Sequence, residues 1–232
     1  MDNDLLKCNG WKGYLYRILF IFLVPAAQVI YFLLNFNTIK GFDITIFLDK
    51  LIPFNEWFVI PYVFWYVYTF GTLLVLAFTD YKTYYKLLFS IITGMLVCFV
   101  VYSIFPTTVP RPHIQGTNLF QKAVLFIYAN DKPFNCFPSI HMLDTLLITM
   151  FIFKHNKSIA LKVSTAVICV SIYLSTQFIK QHSILDGVAS TILGVTLFFV
   201  FESEYVINKL SMLRDLLSFQ KRIKGLTQES EI

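Results

Sequence analysis

A histidine and an aspartate spaced for mutual contact stand out as candidates for chemistry. They are His182 and Asp186, in the stretch STQFIKQHSILD at residues 175–186. If a helix begins here, the two side chains share one face, one turn apart. The carboxylate can then hold one imidazole N–H, which leaves the other nitrogen free to attack or to take a proton. The alternative interpretation is a solvated turn at a membrane edge, where charged residues collect.

Two other clusters could recognise an anion. Pro110-Arg111-Pro112 places the planar fork of an arginine, suited to phosphate oxygens, between two stiffening prolines. In residues 137–141, Pro138 and Ser139 favour the start of a helix, whose first N–H groups and dipole attract an anion, with His141 in the first turn. The alternatives are an arginine that contacts lipid head groups and an ordinary helix start.

Together the clusters fit phosphoryl transfer through a covalent intermediate. This chemistry needs an activated nucleophile, an acid for the leaving oxygen and fixed positive charge on the other oxygens. The catalytic candidates are His182 as nucleophile, Asp186 as its partner and His141 as acid. The phosphate-binding candidates are Arg111, Ser139, Ile140 and Lys180. We expect neither a metal nor another cofactor.

The elements that position these residues are transmembrane helices. Of the 232 residues, 56% are hydrophobic and 14% are charged, which is typical of a polytopic membrane protein and not of a soluble domain. The apolar runs are long enough to cross a bilayer, about 20 residues each. The predicted spans are residues 14–34, 57–78, 87–105, 138–153, 158–179 and 182–201. The sequence therefore predicts an all-α bundle of about six transmembrane helices.

The connections complete the predicted organisation. Residues 35–56 contain a short interfacial helix, and residues 79–86 are a tight polar loop. The long loop at residues 106–138 contains an amphipathic helix at 115–129. We assign residues 1–202 to one transmembrane catalytic domain, with core motifs at 104–186, and residues 203–232 to a charged, amphipathic cytoplasmic tail.

The distribution of basic residues predicts the orientation. Most of the 19 Lys and Arg residues fall at the termini and in the loops on the same side as the termini. The positive-inside rule places that side in the cytoplasm. The long loop and the turn at Lys180–His182 then face outward, at the outer leaflet of what we expect to be the plasma membrane. Because the basic residues are spread over short loops, the net charge of +5 does not indicate a nucleic-acid partner.

This pattern resembles the type-2 phosphatidic acid phosphatase family, which includes prenyl-diphosphate phosphatases and is related to inositol-phosphorylceramide and sphingomyelin synthases. The family motifs are Lys-x6-Arg-Pro, Pro-Ser-Gly-His and Ser-Arg-x5-His-x3-Asp. Residues that match them are Arg111, Pro112, Pro138, Ser139, His141, Ser175, His182 and Asp186. The resemblance covers roughly residues 57–200. It implies a six-helix bundle with a metal-independent site at the outer leaflet.

The sequence departs from the family motifs at three positions. Ile104 stands at the lysine position, Thr176 at the second arginine position and Ile140 at the glycine position. Lys180 is a candidate replacement for one missing cation. Ile140 and the FPTTVPRP stretch are more similar to the branch near the inositol-phosphorylceramide synthases.

The resulting expectation is a metal-independent phosphatase that acts on lipid phosphates or diphosphates through a phosphohistidine. One alternative is a phosphotransferase that moves a phosphate-containing head group to a lipid or polyol acceptor. Another is a non-catalytic lipid-binding or transport protein. The expected partners are a lipid phosphate substrate and the bilayer, and the sequence leaves the oligomeric state open.

Overall fold

The computed structural model describes residues 11–203, and this part of the chain is mostly helical. The first helices are α1 (Trp11–Ile21), α2 (Leu23–Asn37), α3 (Phe47–Leu51), α4 (Val59–Thr79) and α5 (Tyr81–Ile104). The later helices are α6 (Leu119–Asn130), α7 (Ile140–His155), α8 (Ile159–Phe178) and α9 (Ile184–Glu202). A single 3-10 turn, Glu56–Phe58, leads into α4. The predicted all-α helix bundle is confirmed.

The bundle contains five segments long and apolar enough to cross a membrane within the described range. They are Gly13–Asn37, Glu56–Thr79, Tyr81–Ile104, Ile159–Phe178 and Ile184–Glu202. The remaining predicted pass is α7, which has 16 residues and is therefore about 24 Å long. The protein is thus an integral membrane protein, and residues 11–203 contribute five long helical segments and the shorter α7.

Helix α7 lies at the centre of the bundle and contacts α4, α5, α8 and α9. Its Leu143 is fully buried between two glycines of neighbouring helices. A Cβ at Gly94 of α5 would lie 2.6 Å from Leu143 Cδ2, and one at Gly194 of α9 would lie 3.3 Å from Cδ1. These glycines therefore allow α7 to approach both neighbours closely, which brings the starts of α7 and α9 together.

Several predicted boundaries are wrong because local caps end or start the helices. The expected polar loop at 79–86 is reduced to Asp80, whose carboxylate accepts the N–H groups of Lys82 and Thr83 and starts α5. The last helix begins at Ile184, and His182 precedes it. Ser183 is the N-cap of this helix. His182 therefore lies outside the helix, whereas Asp186 lies in its first turn.

The connection between α2 and α4 packs on the long loop. Strands β1 (Phe42–Asp43) and β2 (Thr107–Thr108) form a parallel pair, with Phe42 opposite Thr107. Thr107 Oγ1 accepts the N–H groups of Cys136 and Phe137, which fixes the segment before α7. The predicted tail, apart from Ser203, lies outside the described residues, as do residues 1–10.

Candidate active site

The turn between α8 and α9 holds His182 in place by backbone hydrogen bonds. The carbonyl of Thr176 accepts the N–H of Gln181 at 2.9 Å and that of His182 at 3.1 Å. On the other side, Ser183 and Asp186 form a capping box at the start of α9. The histidine is therefore fixed from both helices, and its side chain is 8% exposed.

The imidazole of His182 has one nitrogen committed to protein acceptors. Nδ1 lies 3.2 Å from Asp186 Oδ2 and 3.0 Å from the carbonyl oxygen of Cys136. Because both partners accept, the proton belongs on Nδ1 and the lone pair on Nε2. This is the tautomer that a histidine nucleophile requires. The contact between His182 and Asp186 is thus present in the structure.

The free nitrogen of His182 faces His141 in the first turn of α7. His182 Nε2 and His141 Nδ1 are 3.4 Å apart. The ring of His141 packs near the rings of Tyr62 and Trp65, with centroid distances of 4.7 and 4.4 Å. The two aromatic side chains of α4 therefore orient His141 towards His182.

Arg111 contacts the turn that carries His182, and its guanidinium is bound to the protein in the structure. Its Nη1 donates to the carbonyl oxygen of Asp131 at 2.8 Å, and Nη2 donates to Gln181 Oε1 at 2.8 Å. The guanidinium also stacks over the ring of Tyr128, 4.1 Å from its centroid. Nε is buried and has no hydrogen-bond partner among the described residues. Gln181 thus links Arg111 to the turn that carries His182.

The other phosphate-binding candidates occupy different positions. Ser139 is fully buried and accepts the N–H of Met142 at 3.4 Å, so its hydroxyl caps α7. Lys180 points to the far side of the turn, where Nζ donates to the carbonyl oxygens of Asp49 and Ile52. Burial lowers the pKa of Lys180, and the nearby Asp49 opposes that shift. Of the four candidates, Ile140 lines the cavity that contains the histidines.

The two positions at which cations are missing do not line the cavity that contains the histidines. Ile104 ends α5 and is 77% exposed, on the outer surface of the bundle. Thr176 is fully buried, and its hydroxyl donates to the carbonyl oxygen of Tyr173. In this chain, Thr176 stabilises the turn through its carbonyl oxygen.

A comparison with protein families agrees with this arrangement. The family model described as the PAP2 superfamily matches residues 31–200, which include both histidines and Arg111. The chain belongs to the PAP2 superfamily. No curated protein and no solved structure matches it significantly. The resemblance stated from the motifs is confirmed at the level of the family.

In this PAP2 superfamily member, both histidines line a cavity of about 380 Å³. Its walls come from α2, α4, α5, α6 and α7 and are largely aromatic and aliphatic. The aromatic and apolar lining residues are Tyr31, Phe32, Tyr62, Val63, Trp65, Tyr66, Tyr102, Ala123, Phe126, Ile127 and Ile140. An apolar cavity with two histidines in its wall is suited to a lipid whose polar group lies against them.

Sequence reasoning missed a polar group of the cavity, Asp131. It follows α6, and its Oδ1 accepts the hydroxyl hydrogen of Tyr31 at 2.6 Å. Burial raises the pKa of Asp131, although Tyr31, Arg111 and His182 oppose the shift. The sequence contained no spacing signal for this residue, because Asp131 and Tyr31 are separated by 100 positions.

Cys136, His182 and Asp186 also bring potential metal ligands together. One donor atom from each lies within 4.8 Å of the other two, and all three residues are buried. Burial raises the pKa of the Cys136 thiol, which disfavours the thiolate that a metal would bind. His182 Nδ1, moreover, is already engaged by Asp186 and the backbone.

Proposed function

We propose that this protein cleaves a phosphate ester or diphosphate of a membrane lipid by phosphoryl-group transfer to His182. The observation that carries the proposal is the geometry of the two histidines. His182 has Nδ1 held by acceptors and Nε2 directed at His141, in the wall of an apolar cavity. Membership of the PAP2 superfamily supports the same class of reaction.

The reaction has two steps in this proposal. Nε2 of His182 bonds to phosphorus while the bond from phosphorus to the leaving oxygen breaks, and that oxygen takes a proton from His141. A water or an alcohol then attacks phosphorus and gives its proton to His141, while the bond from phosphorus to Nε2 breaks. Asp186 stabilises the positive charge that develops on the ring of His182.

Arg111 supplies positive charge to the phosphate oxygens. In the structure its guanidinium is bound to the carbonyl of Asp131 and to the side chain of Gln181. Binding of the phosphate requires Arg111 to exchange at least one of these acceptors for a phosphate oxygen. Such exchange is favourable because a hydrogen bond between two charged groups is stronger than one to a neutral oxygen.

Hydrolysis and transfer share the first step and differ in the group that attacks second. If water attacks, the protein is a lipid phosphatase; if a lipid or polyol hydroxyl attacks, it is a phosphotransferase. The apolar lining of the cavity supports a bulky lipid substrate in either case. We place the site at the outer leaflet because of the distribution of basic residues.

The test is turnover by the purified full-length protein with a panel of lipids. The panel contains phosphatidic acid, lysophosphatidic acid, undecaprenyl diphosphate and an inositol-lipid donor, each with and without an alcohol acceptor. When the lipid carries radiolabelled phosphorus, the wild-type protein should acquire a covalent label, and the bond between phosphorus and protein should be stable to alkali. His182→Ala should abolish both the label and turnover, whereas His113→Ala, in the exposed part of the loop, should retain both.

Two results would contradict the proposal. The first is a His182→Ala protein that folds and retains substantial turnover. The second is complete loss of activity in EDTA that a divalent metal restores. That result would indicate that Cys136, His182 and Asp186 bind a metal ion. We expect activity to be unchanged by EDTA.

A further inference from the structure

The cavity that holds the two histidines carries a carboxylate where a phosphate-handling site would be expected to carry cations. Asp131 lines the cavity together with His141 and His182. Among the described residues that line it, none is a lysine or an arginine. With Asp131 ionised and the histidines neutral, the walls therefore contribute one negative charge. Arg111, which does not line the cavity, supplies one positive charge once it exchanges an acceptor for a phosphate oxygen.

The basic side chains around the site direct their donors elsewhere. Arg111 donates to the backbone carbonyl of Asp131 and to Gln181, and Lys180 donates to carbonyl oxygens near α3. Lys132, next to Asp131 in sequence, donates to the carbonyl oxygen of Phe36. The carboxylate itself receives its hydrogen bond from the neutral hydroxyl of Tyr31.

The buried environment of Asp131 also disfavours additional negative charge on a bound phosphate. Burial makes additional negative charge unfavourable in the cavity, and it raises the pKa of Asp131 for this reason. A phosphate monoester carries between one and two negative charges near neutral pH, whereas a phosphodiester carries one. The second charge of a monoester would meet both the burial penalty and repulsion from Asp131.

We propose that Asp131 is a specificity-determining residue that disfavours doubly charged phosphate groups and favours lipids whose phosphorus carries one negative charge. The favoured class is the phosphodiester lipids. This inference rests on the proposed function for its catalytic consequence, but the charge selection itself concerns binding. It can therefore be measured even if no lipid is turned over.

The decisive experiment compares the affinity of two ligands that differ by one negative charge and one methyl group. They are a long-chain alkylphosphonate and its monomethyl ester, at a pH where the free phosphonate carries two charges. Binding to the full-length protein in detergent is followed by tryptophan fluorescence. Wild-type protein should bind the singly charged ester more tightly than the doubly charged phosphonate. Asp131→Asn should reduce this ratio of affinities about tenfold, which corresponds to about 1.4 kcal/mol.

Matched variants separate charge from structure. Asp131→Asn keeps an oxygen that can accept from Tyr31, and Asp131→Glu keeps the charge and should retain the preference. Asp43→Asn removes an exposed carboxylate that accepts from Thr45 outside the cavity, and it should bind as the wild type does. The ratio of kcat/KM for phosphatidylglycerol to that for phosphatidic acid should change in the same direction.

Each outcome shows whether Asp131 selects against doubly charged ligands. An unchanged affinity ratio in folded Asp131→Asn overturns the proposal. Tighter binding of the doubly charged ligand by the wild-type protein also overturns it, and this measurement requires no variant. Binding that follows the predicted ratio without turnover of any lipid supports the charge selection and contradicts the proposed function. Thermal unfolding of each variant identifies a misfolded protein, and the wild-type ratio then decides alone.

Discussion

At the scale of single residues, the tautomer of His182 is set mainly by backbone and carboxylate acceptors. Nδ1 contacts Asp186 and the carbonyl of Cys136, and Asp186 Oδ2 also accepts the N–H of Ser183 at 2.8 Å. The carboxylate therefore orients the histidine and caps α9 with the same oxygen. Its other oxygen, Oδ1, is buried without a hydrogen-bond partner in the described part of the chain. The position of His182 and the start of the helix are thus structurally coupled.

Arg111 provides a prediction at this scale. Its fork contacts two acceptors on different segments and stacks on Tyr128, which a lysine cannot reproduce although it keeps the charge. Arg111→Lys should lower kcat/KM about tenfold or more, because a hydrogen bond to a charged group contributes about 1.5–3 kcal/mol. The measurement is steady-state kinetics with the best lipid of the panel.

The matched control for this prediction is Lys122→Arg, which exchanges the same two side chains in the opposite direction at an exposed position of α6. It should leave kcat/KM unchanged. If Arg111→Lys retains the wild-type value, positive charge alone is sufficient at this position and the planar geometry has no role.

At the scale of elements, the short helix α3 supports the turn that carries His182. Asp49 Oδ1 accepts the N–H of Ile184 at 2.8 Å, and Oδ2 accepts that of Ile46 at 2.8 Å. Lys180 completes the link through the carbonyl oxygens of Asp49 and Ile52. The connection between α2 and α4 therefore positions the start of α9.

Asp49→Asn tests this role. The amide nitrogen cannot accept a hydrogen bond, so either Ile46 or Ile184 loses its acceptor. We expect the free energy of unfolding to fall by about 1–3 kcal/mol, since a buried donor is left unsatisfied. We also expect kcat to fall more than KM rises, because the change misplaces His182 without altering the cavity walls. Thermal unfolding and steady-state kinetics provide the two measurements.

Asp43→Asn is the control for Asp49→Asn, because Asp43 is also an acidic residue of the same connection but is exposed. It should change neither stability nor kcat. A folded Asp49→Asn protein with wild-type kcat would show that the link from α3 to α9 does not position the histidine.

At the scale of the whole molecule, the site lies at one end of the bundle, where α7 and α9 begin. The central α7 is short, so its first turn, with His141, starts below the long loop and beside the turn of His182. The loop, α6 and the connection carrying α3 cover this end. The cavity beneath them is bounded by α2 and α4, which are membrane spans.

The orientation of the bundle can be tested with single cysteines. In a variant with all four native cysteines replaced by serine, we would introduce His113→Cys in the long loop or Lys157→Cys between α7 and α8; both positions are exposed. The positive-inside rule predicts that an impermeant thiol reagent labels the first in intact cells. The second should react only after permeabilisation, and the opposite pattern would place the site on the cytoplasmic side.

Local patterns in the sequence were sufficient for the helices and for the central pair of the site. Apolar runs predicted the transmembrane segments, and the spacing of His182 and Asp186 predicted their contact, because both signals depend on neighbours within a few turns. The loop expected at 79–86 was wrong because the carboxylate of Asp80, a single residue, is enough to cap α5. Motif spacing also singled out His141, which lies 3.4 Å from His182 in the structure, and Arg111, which contacts the neighbouring Gln181.

Only the tertiary structure decided which way the other side chains point. Lys180 and Gln181 are adjacent in sequence but point to different sides. Lys180 has a positive φ of 53° and donates to the carbonyl oxygen of Ile52 after α3, whereas Gln181 accepts a hydrogen bond from Arg111. Asp131 reaches the cavity through packing of α6 against α4 and its bond to Tyr31 of α2. The sequence by itself thus determined the family, the helices and the contact between His182 and Asp186. The charge of the cavity was decided by contacts between distant segments, which leave no periodicity in the sequence.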